Sequence, residues 1–90
     1  MRSIRRQNQF RKDVKLMERR GKDFSEFKSV IEKLAEGKNL EPRHRDHPLF
    51  GNFKGKRDCH VEPDWLLIYE LTPTELIIIR TGTHSDIFGK

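Results

Sequence analysis

The sequence predicts an α+β fold in which two helices pack on one face of a small antiparallel sheet. In the first half of the chain, apolar residues recur at the three- and four-residue spacing of a helix. In the second half, short apolar runs are separated by turn residues, as in a meander of strands. A chain of 90 residues has room for one domain and not for two. We therefore expect residues 1–90 to form a single domain with the element order β-αα-βββ.

The helical half begins after a short polar segment, residues 2–7, which is expected to form at most a short edge strand. A first helix is predicted over residues 8–20, and the glycine that follows is suited to end it. A second helix is predicted over residues 23–36, because Asp23 and Glu26 have the spacing of a capping box. Two short helices joined by a tight turn form an αα-hairpin.

The second half of the chain is predicted to supply the sheet. Three strands are expected, at residues 53–61, 65–71 and 76–81. The middle strand is apolar on both faces, which places it in the centre of the sheet, with Trp65 and Tyr69 in the core. Because side chains alternate along a strand, Asp58 and His60 share one face and Cys59 lies on the other as a small core residue.

The charge is unevenly distributed. The chain carries a formal net charge of +5, which divides into +7 over residues 1–45 and −2 over residues 46–90. A basic half suits a polyanionic partner such as nucleic acid, or an acidic protein, and equally a solvated lysine-rich helical surface. The sequence contains no apolar run long enough to cross a membrane, no signal-peptide pattern and a single cysteine. These features favour a small cytoplasmic protein with no internal disulfide.

A set of histidines and carboxylates carries the candidate chemistry. His47, His60, His84, Asp58 and Asp64 flank the predicted strands and could converge at one end or face of the sheet. Such a cluster suits RNA cleavage, in which a base activates the ribose 2′-OH and an acid protonates the departing 5′-oxygen. Cations that could hold the phosphate are Lys54, Lys56, Arg57 and Arg80.

Other interpretations of the same residues remain open at this point. Surface or structural roles are about as compatible with the spacing of the three histidines as catalysis is. Metal binding is a further alternative, although the sequence lacks a short-spaced ligand motif such as HExxH. His44 is expected to be an exposed histidine without a catalytic role. Arg80 interrupts an apolar strand, which indicates a functional or salt-bridging group.

At these residues the sequence closely resembles the YafQ-type toxins, which belong to the RelE/ParE superfamily of type II toxin–antitoxin systems. The resemblance covers nearly the whole chain in order, spacing and residue type. It is carried by residues 12–16, 46–49, 51–69 and 80–88. The resemblance implies a RelE-like fold and a ribosome-dependent endoribonuclease that cuts mRNA in the A site by 2′-OH attack, with no metal or other cofactor.

The resemblance also implies an active site formed by His47, Asp58, His60, Asp64, His84 and Phe88. In such a site His84 would be the general acid, His47 or His60 the base, and Phe88 would position the mRNA. Arg80 would stabilise the phosphorane, and the two aspartates would orient and tune the imidazoles.

The implied partners are the ribosome, mRNA and a cognate antitoxin, often of the ribbon-helix-helix type, with operator DNA contacted only through the antitoxin complex. The alternative function is a non-enzymatic basic inhibitor of a nucleic-acid machine such as gyrase or the ribosome. Such an inhibitor would have no need of a cluster of three histidines and two carboxylates.

Overall fold

The computed structural model describes residues 1–89. Within those residues the chain forms five strands and three α-helices, in the order β1 (Ser3–Arg6), α1 (Asn8–Arg19), α2 (Ser25–Ala35), β2 (His47–Pro48), β3 (Arg57–Glu62), β4 (Trp65–Leu71), β5 (Glu75–Gly82) and α3 (His84–Phe88). Two 3₁₀ turns, Pro42–His44 and Gly51–Phe53, lie on either side of β2. The predicted order β-αα-βββ is confirmed, with β2 and α3 added to it.

The sheet is mixed, with the strand order β1-β5-β4-β3-β2. Strands β3, β4 and β5 form the predicted antiparallel meander, and β4 is the central strand as expected. The short N-terminal strand β1 is real and pairs with β5 in parallel. On the other edge, β2 pairs with β3 through two residue pairs, which connect His47 with Asp58 and Pro48 with Arg57.

Helices α1 and α2 cover one face of the sheet and form the main core with it. Cys59, Trp65 and Tyr69 are fully buried in this core, as predicted. Phe24 and Phe27 hold the second helix against the central strand, because both rings pack on Trp65 at centroid distances of 5.2 and 5.3 Å. The aromatic contacts fix the position of the αα-hairpin relative to β4.

The opposite face of the sheet carries a smaller apolar cluster around Ile68, Ile77 and Ile79. Ile87 of α3 packs against it, so the last helix lies on the face away from α1 and α2. Asp58 is paired with Ile68 across β3 and β4 and therefore points to this same face. The helices of the fold thus leave Asp58 and His60 on the less covered side of the sheet.

Two predicted boundaries are wrong for local reasons. The second helix begins at Ser25, because the Asp23 carboxylate accepts hydrogen bonds from the Ser25 backbone N–H (2.9 Å) and hydroxyl (2.7 Å) in the preceding turn. Glu26 completes no capping box and instead accepts a hydrogen bond from Arg43. The first long strand begins at Arg57 rather than at residue 53, since Gly55 has a left-handed backbone (φ 85°) that interrupts an extended chain.

The expected exposure of His44 is also wrong, because this side chain is fully buried beneath β3. In the part of the chain that the structure describes, no helix combines the length and apolarity needed to cross a membrane.

Candidate active site

Two histidine rings from different elements face each other at one end of the sheet. His60 lies in β3, and His84 is the first residue of α3. Their ring centroids are 5.4 Å apart, in an edge-to-face arrangement. The strand register explains the meeting, since His60 is paired with Leu66, and Leu66 with Gly82, only two residues before His84.

Asp64 fixes the orientation of His84. The Asp64 Oδ1 atom accepts hydrogen bonds from His84 Nδ1 (2.6 Å) and from the His84 backbone N–H (3.0 Å). These hydrogen bonds lower the pKa of Asp64, which therefore remains a carboxylate near neutral pH. Because a carboxylate accepts, Nδ1 carries the hydrogen, and Nε2 is the nitrogen that can exchange a proton with a substrate.

His47 and Asp58 form a second pair on the same end of the sheet. The pairing of β2 with β3 places His47 Nε2 3.8 Å from Asp58 Oδ2. His47 Nδ1 lies 2.6 Å from the Arg45 carbonyl oxygen, so Nδ1 is the donor in that hydrogen bond. The half-exposed His47 ring is thereby oriented from both sides, with Nε2 towards the carboxylate.

Asp58 has an unusual environment for a carboxylate. Asp58 is only 4% exposed, and its Oδ1 atom has no hydrogen-bond partner among residues 1–89. Burial raises the pKa of Asp58 to about 6, against the opposing effect of positive charge on His47 and His84. Asp58 can therefore change its protonation state near neutral pH, beside two histidines.

The pKa of His60 is shifted in the opposite direction. Burial lowers the pKa of His60, and the nearby positive charges of His84, Arg45 and His47 lower it further. A neutral imidazole with a free lone pair is the expected state of His60 at neutral pH, which is the state that a general base requires.

Phe88 lies at the rim of this cluster. It is the last residue of α3, it is 36% exposed, and its ring packs edge-to-face on Phe53 with centroids 5.8 Å apart. The sequence predicts Phe53 at the start of a strand and does not indicate a part for it in the site. Its position in a 3₁₀ turn makes it the support for the Phe88 ring.

The four predicted phosphate-binding cations are in different settings. Lys54 is exposed, and Lys56 Nζ lies 4.0 Å from Glu70 Oε1. Arg57 alternates with Asp58 along β3 and so lies on the other face, where its Nε donates to Asp46 at 3.1 Å.

Arg80 forms an ion pair with a largely buried carboxylate. Its Nε and Nη2 donate to Asp13 of α1 at 2.8 and 3.2 Å, which confirms the salt-bridging alternative for this residue. The Asp13 carboxylate also accepts from the Thr81 backbone N–H at 3.1 Å. The pair connects the first helix to the last strand.

Two further carboxylates hold the elements that carry the histidines, and sequence reasoning missed both. Asp46 accepts from the Tyr69 hydroxyl at 2.5 Å and precedes His47. Asp86 forms a capping box with Thr83 at the start of α3 and a two-point contact with Arg20. The Thr-x-x-Asp spacing before a short apolar run is a sequence signal that could have predicted this helix.

Among residues 1–89, no group of three or more His, Cys, Asp or Glu side chains is arranged to hold a metal ion.

The comparisons with known proteins identify the family and the fold. A family model described as "Bacterial toxin of type II toxin-antitoxin system, YafQ" matches residues 2–89. The chain belongs to the YafQ toxin family. It is 47% identical to the mRNA interferase toxin YafQ of Escherichia coli strain K12 over 89 residues, which are 98% of this chain and 97% of that relative.

Solved structures of this family have the same fold. The crystal structure of YafQ from E. coli BL21(DE3) matches with a TM-score of 0.93 and 46% identity, over 99% of this chain and all of that one. The toxin in the E. coli DinJ-YafQ toxin-antitoxin complex matches with a TM-score of 0.90 and 47% identity, over 98% of both chains. The resemblance drawn from the sequence is confirmed.

Proposed function

We propose that this chain is the toxin of a type II toxin–antitoxin system and acts as an mRNA interferase, a ribosome-dependent endoribonuclease. Membership of the YafQ family supports the assignment, since the E. coli relative is an mRNA interferase toxin. The observation that carries the chemistry is the facing pair of His60 and His84, 5.4 Å apart, with Asp64 on one ring. One neutral imidazole and one carboxylate-supported imidazole are the two groups that 2′-OH attack requires.

In this proposal His60 is the favoured general base. Its lowered pKa leaves a neutral ring that can accept the proton of the ribose 2′-OH as that oxygen attacks the adjacent phosphorus. His47 is the other candidate for this role, since its Nε2 faces the site beside Asp58. Asp58, with a pKa of about 6, interacts electrostatically with His47 and His84.

His84 is the general acid. Asp64 holds its Nδ1 hydrogen, so Nε2 presents a proton to the departing 5′-oxygen, and the carboxylate stabilises the imidazolium before transfer. The phosphate–oxygen bond to the 5′-oxygen breaks as the new bond to the 2′-oxygen forms, which yields a 2′,3′-cyclic phosphate and a 5′-hydroxyl. Metal is not required for any of these steps.

The rim of the site would receive mRNA. Phe88, supported by Phe53, offers an exposed aromatic face on which a base can stack. Lys54, which is exposed, and Lys56 are the candidates to contact phosphate, whereas Arg57 and Arg80 are paired with Asp46 and Asp13. The excess positive charge of residues 1–45 suits docking on ribosomal RNA.

The proposed regulator is a cognate antitoxin, because the E. coli relative is found in a complex with DinJ. A basic surface that suits ribosomal RNA also suits an acidic protein segment, so one surface can serve both partners in turn. We place this activity in the cytoplasm, where ribosomes and the antitoxin would meet the toxin.

The direct test uses ribosomes, a defined mRNA and the purified chain, either untreated or treated with chelator that is removed before mixing, followed by mapping of the cut ends. The chelator-treated wild-type protein is expected to cut the message as fast as the untreated protein and to leave a cyclic or 3′-phosphate. His60→Gln and His84→Gln are each expected to slow cleavage by roughly 10²–10⁴-fold, the usual contribution of one proton transfer. Ser85→Ala is the matched control, since Ser85 is an exposed neighbour of His84 on the same helix.

Three results would contradict the proposal. Folded double variants of His60 and His84 that cleave at the wild-type rate would remove the acid–base account. Translation that stops while the message stays intact would favour the non-enzymatic inhibitor. Cleavage lost after chelator treatment of the protein alone would favour a metal-dependent nuclease.

A further inference from the structure

The fourth histidine of the chain lies directly behind the candidate site. His44 is fully buried, whereas His47 and His84 have side chains that are about half exposed. It ends the 3₁₀ turn Pro42–His44, just before the segment that leads to β2. A buried polar ring in so small a core requires hydrogen-bond partners to offset its lost hydration.

Its main partner is the backbone of a predicted catalytic residue. His44 Nδ1 lies 2.6 Å from the carbonyl oxygen of His60. A carbonyl can only accept, so Nδ1 carries the hydrogen and donates it. Strand β2 pairs with β3 at Arg57 and Asp58, and this pairing does not extend to His60. The ring of His44 therefore extends the pairing of this edge to His60.

The backbone at His60 needs such support. The register of β3 against β4 shifts between His60 and Glu62, and a bulge of this kind leaves a strand less constrained than regular pairing does. The His44 contact restrains the His60 carbonyl from the opposite edge. It thereby limits rotation of the peptide that carries the His60 side chain.

The same contact also restrains the loop that carries His47. Arg45, the residue after His44, has a left-handed backbone (φ 46°) that reverses the chain towards β2. The Arg45 carbonyl then accepts the hydrogen bond from His47 Nδ1 at 2.6 Å. The loop is thus fixed at one end by His44 on His60 and at the other by β2 on β3.

The other side of the His44 ring faces the second helix. His44 Nε2 lies 3.2 Å from Glu26 Oε1 of α2, an approach that is not aligned as a hydrogen bond. Arg43 Nη2 donates to the same Glu26 oxygen at 2.5 Å. The ring is therefore enclosed between α2 and β3, and its hydrogen bond is on the β3 side.

We propose that His44 is a positioning residue that holds His47 and His60 in their relative placement by binding the His60 carbonyl. The expected effect on cleavage rests on the proposed function, whereas the expected effect on the placement of His47 and His60 rests on the contacts alone. A general base must lie within hydrogen-bond reach of the proton that it removes, and a displacement near 1 Å is costly.

Two substitutions separate the hydrogen bond from simple filling of space. His44→Leu fills much of the site but has no donor, whereas His44→Asn keeps an N–H donor close to the place of Nδ1. In steady-state cleavage on programmed ribosomes, His44→Leu is expected to lower kcat by roughly 10- to 100-fold, as for a group displaced by about 1 Å. KM is expected to remain near the wild-type value, since the substituted side chain touches no substrate. His44→Asn is expected to recover most of the lost rate.

A second readout is independent of activity. The ring resonances of His47, His60 and His84 can be followed by NMR in the free protein across the pH range. In His44→Leu, the resonances of His47 and His60 are expected to move more than those of His84, because Asp64 holds His84 separately. Ile31→Val in α2 is the control for a general loss of stability, since Ile31 is buried in the core.

The outcomes are distinguishable. Wild-type kcat in His44→Leu, equal impairment of His44→Leu and His44→Asn, or unchanged ring resonances of His47 and His60 would each overturn the positioning role. If the wild-type protein itself cleaves nothing while these resonances move in His44→Leu, the proposed function fails and the positioning role stands.

Discussion

Replacing Asp58 by asparagine is expected to make the protein more stable at neutral pH. The carboxylate is 4% exposed, one of its oxygens has no hydrogen-bond partner among residues 1–89, and its pKa is raised to about 6. At pH 7 the folded state must therefore hold a charge in a poorly hydrated place. Asparagine has nearly the same shape and carries no charge, so the cost of burying that charge disappears.

The magnitude follows from the pKa. An ordinary aspartate has a pKa of 3.8, and the folded-state value of about 6 lies about 2 pH units higher. Each unit corresponds to about 1.4 kcal/mol, which gives about 3 kcal/mol in total. Between these two pH values the folded protein binds more protons than the unfolded chain. The contribution of Asp58 to stability is therefore fully present below pH 4 and is lost as the pH rises through about 6.

The assay is urea or thermal unfolding of the wild type and of Asp58→Asn at several pH values between 4 and 8. The free energy of unfolding of the variant, relative to the wild type, is expected to increase by about 2.5 kcal/mol over this range, since part of the total lies below pH 4. For a domain of this size each 1 kcal/mol shifts Tm by roughly 4–8 °C. Any constant effect of the asparagine amide cancels, because only the change with pH is compared.

A pH-independent difference between the two proteins would refute the reasoning, since it would mean that Asp58 titrates in the folded state as it does in the unfolded one. A variant that becomes relatively less stable as the pH rises would refute it more strongly, because the carboxylate would then be stabilised by its neighbours. The same variant is expected to lose cleavage activity, which would make Asp58 a residue where function is maintained at the expense of stability.

Three further predictions concern the supports of the site. Arg80→Ala leaves the largely buried Asp13 without its cation and is expected to lower the free energy of unfolding in urea by about 3 kcal/mol. This value is near the low end for a broken buried pair, because the Thr81 backbone N–H still donates to the carboxylate. An unchanged urea midpoint would contradict the prediction. Asp64→Asn keeps an oxygen for His84 and loses the charge, so it is expected to retain more cleavage activity than Asp64→Ala, and equal rates for the two variants would show that orientation is not what Asp64 supplies. Thr83→Ala removes the N-cap of α3 and is expected to lower the free energy of unfolding by about 1 kcal/mol, with faster amide hydrogen exchange confined to that helix. Faster exchange throughout the sheet would contradict a local effect.

The regular parts of the fold could be predicted because their patterns are local. The helical spacing of Phe27 and Ile31 indicates the buried face of the second helix. The apolar run from Trp65 onwards indicates a strand that is buried on both faces. The strand alternation also placed Asp58 and His60 on one face correctly. The order of neighbouring strands, which a meander makes predictable, brings the two histidines to the same end of the sheet.

The remaining features depend on contacts between distant residues. Arg80 and Asp13 are 67 positions apart, and no local pattern indicates that they pair. The burial of His44 results from a turn that delivers its ring to the edge of β3, and that turn requires a left-handed Arg45 that the residue type does not favour. Helix α3 has only five residues, too few for a periodic signal, and its capping box was the available indication.

The parallel pairing of β1 with β5 has a consequence for how the protein is made. Ser3 is in register with Glu75, so β1 finds its partner only after the chain between them and β5 itself have been synthesised. His84, on α3, emerges later still. Because contacts over such sequence distances form late in folding, a nascent or truncated chain holds the basic helices without the assembled acid–base cluster. A ribosome that translates this message would therefore complete its own product before that product could act on any message.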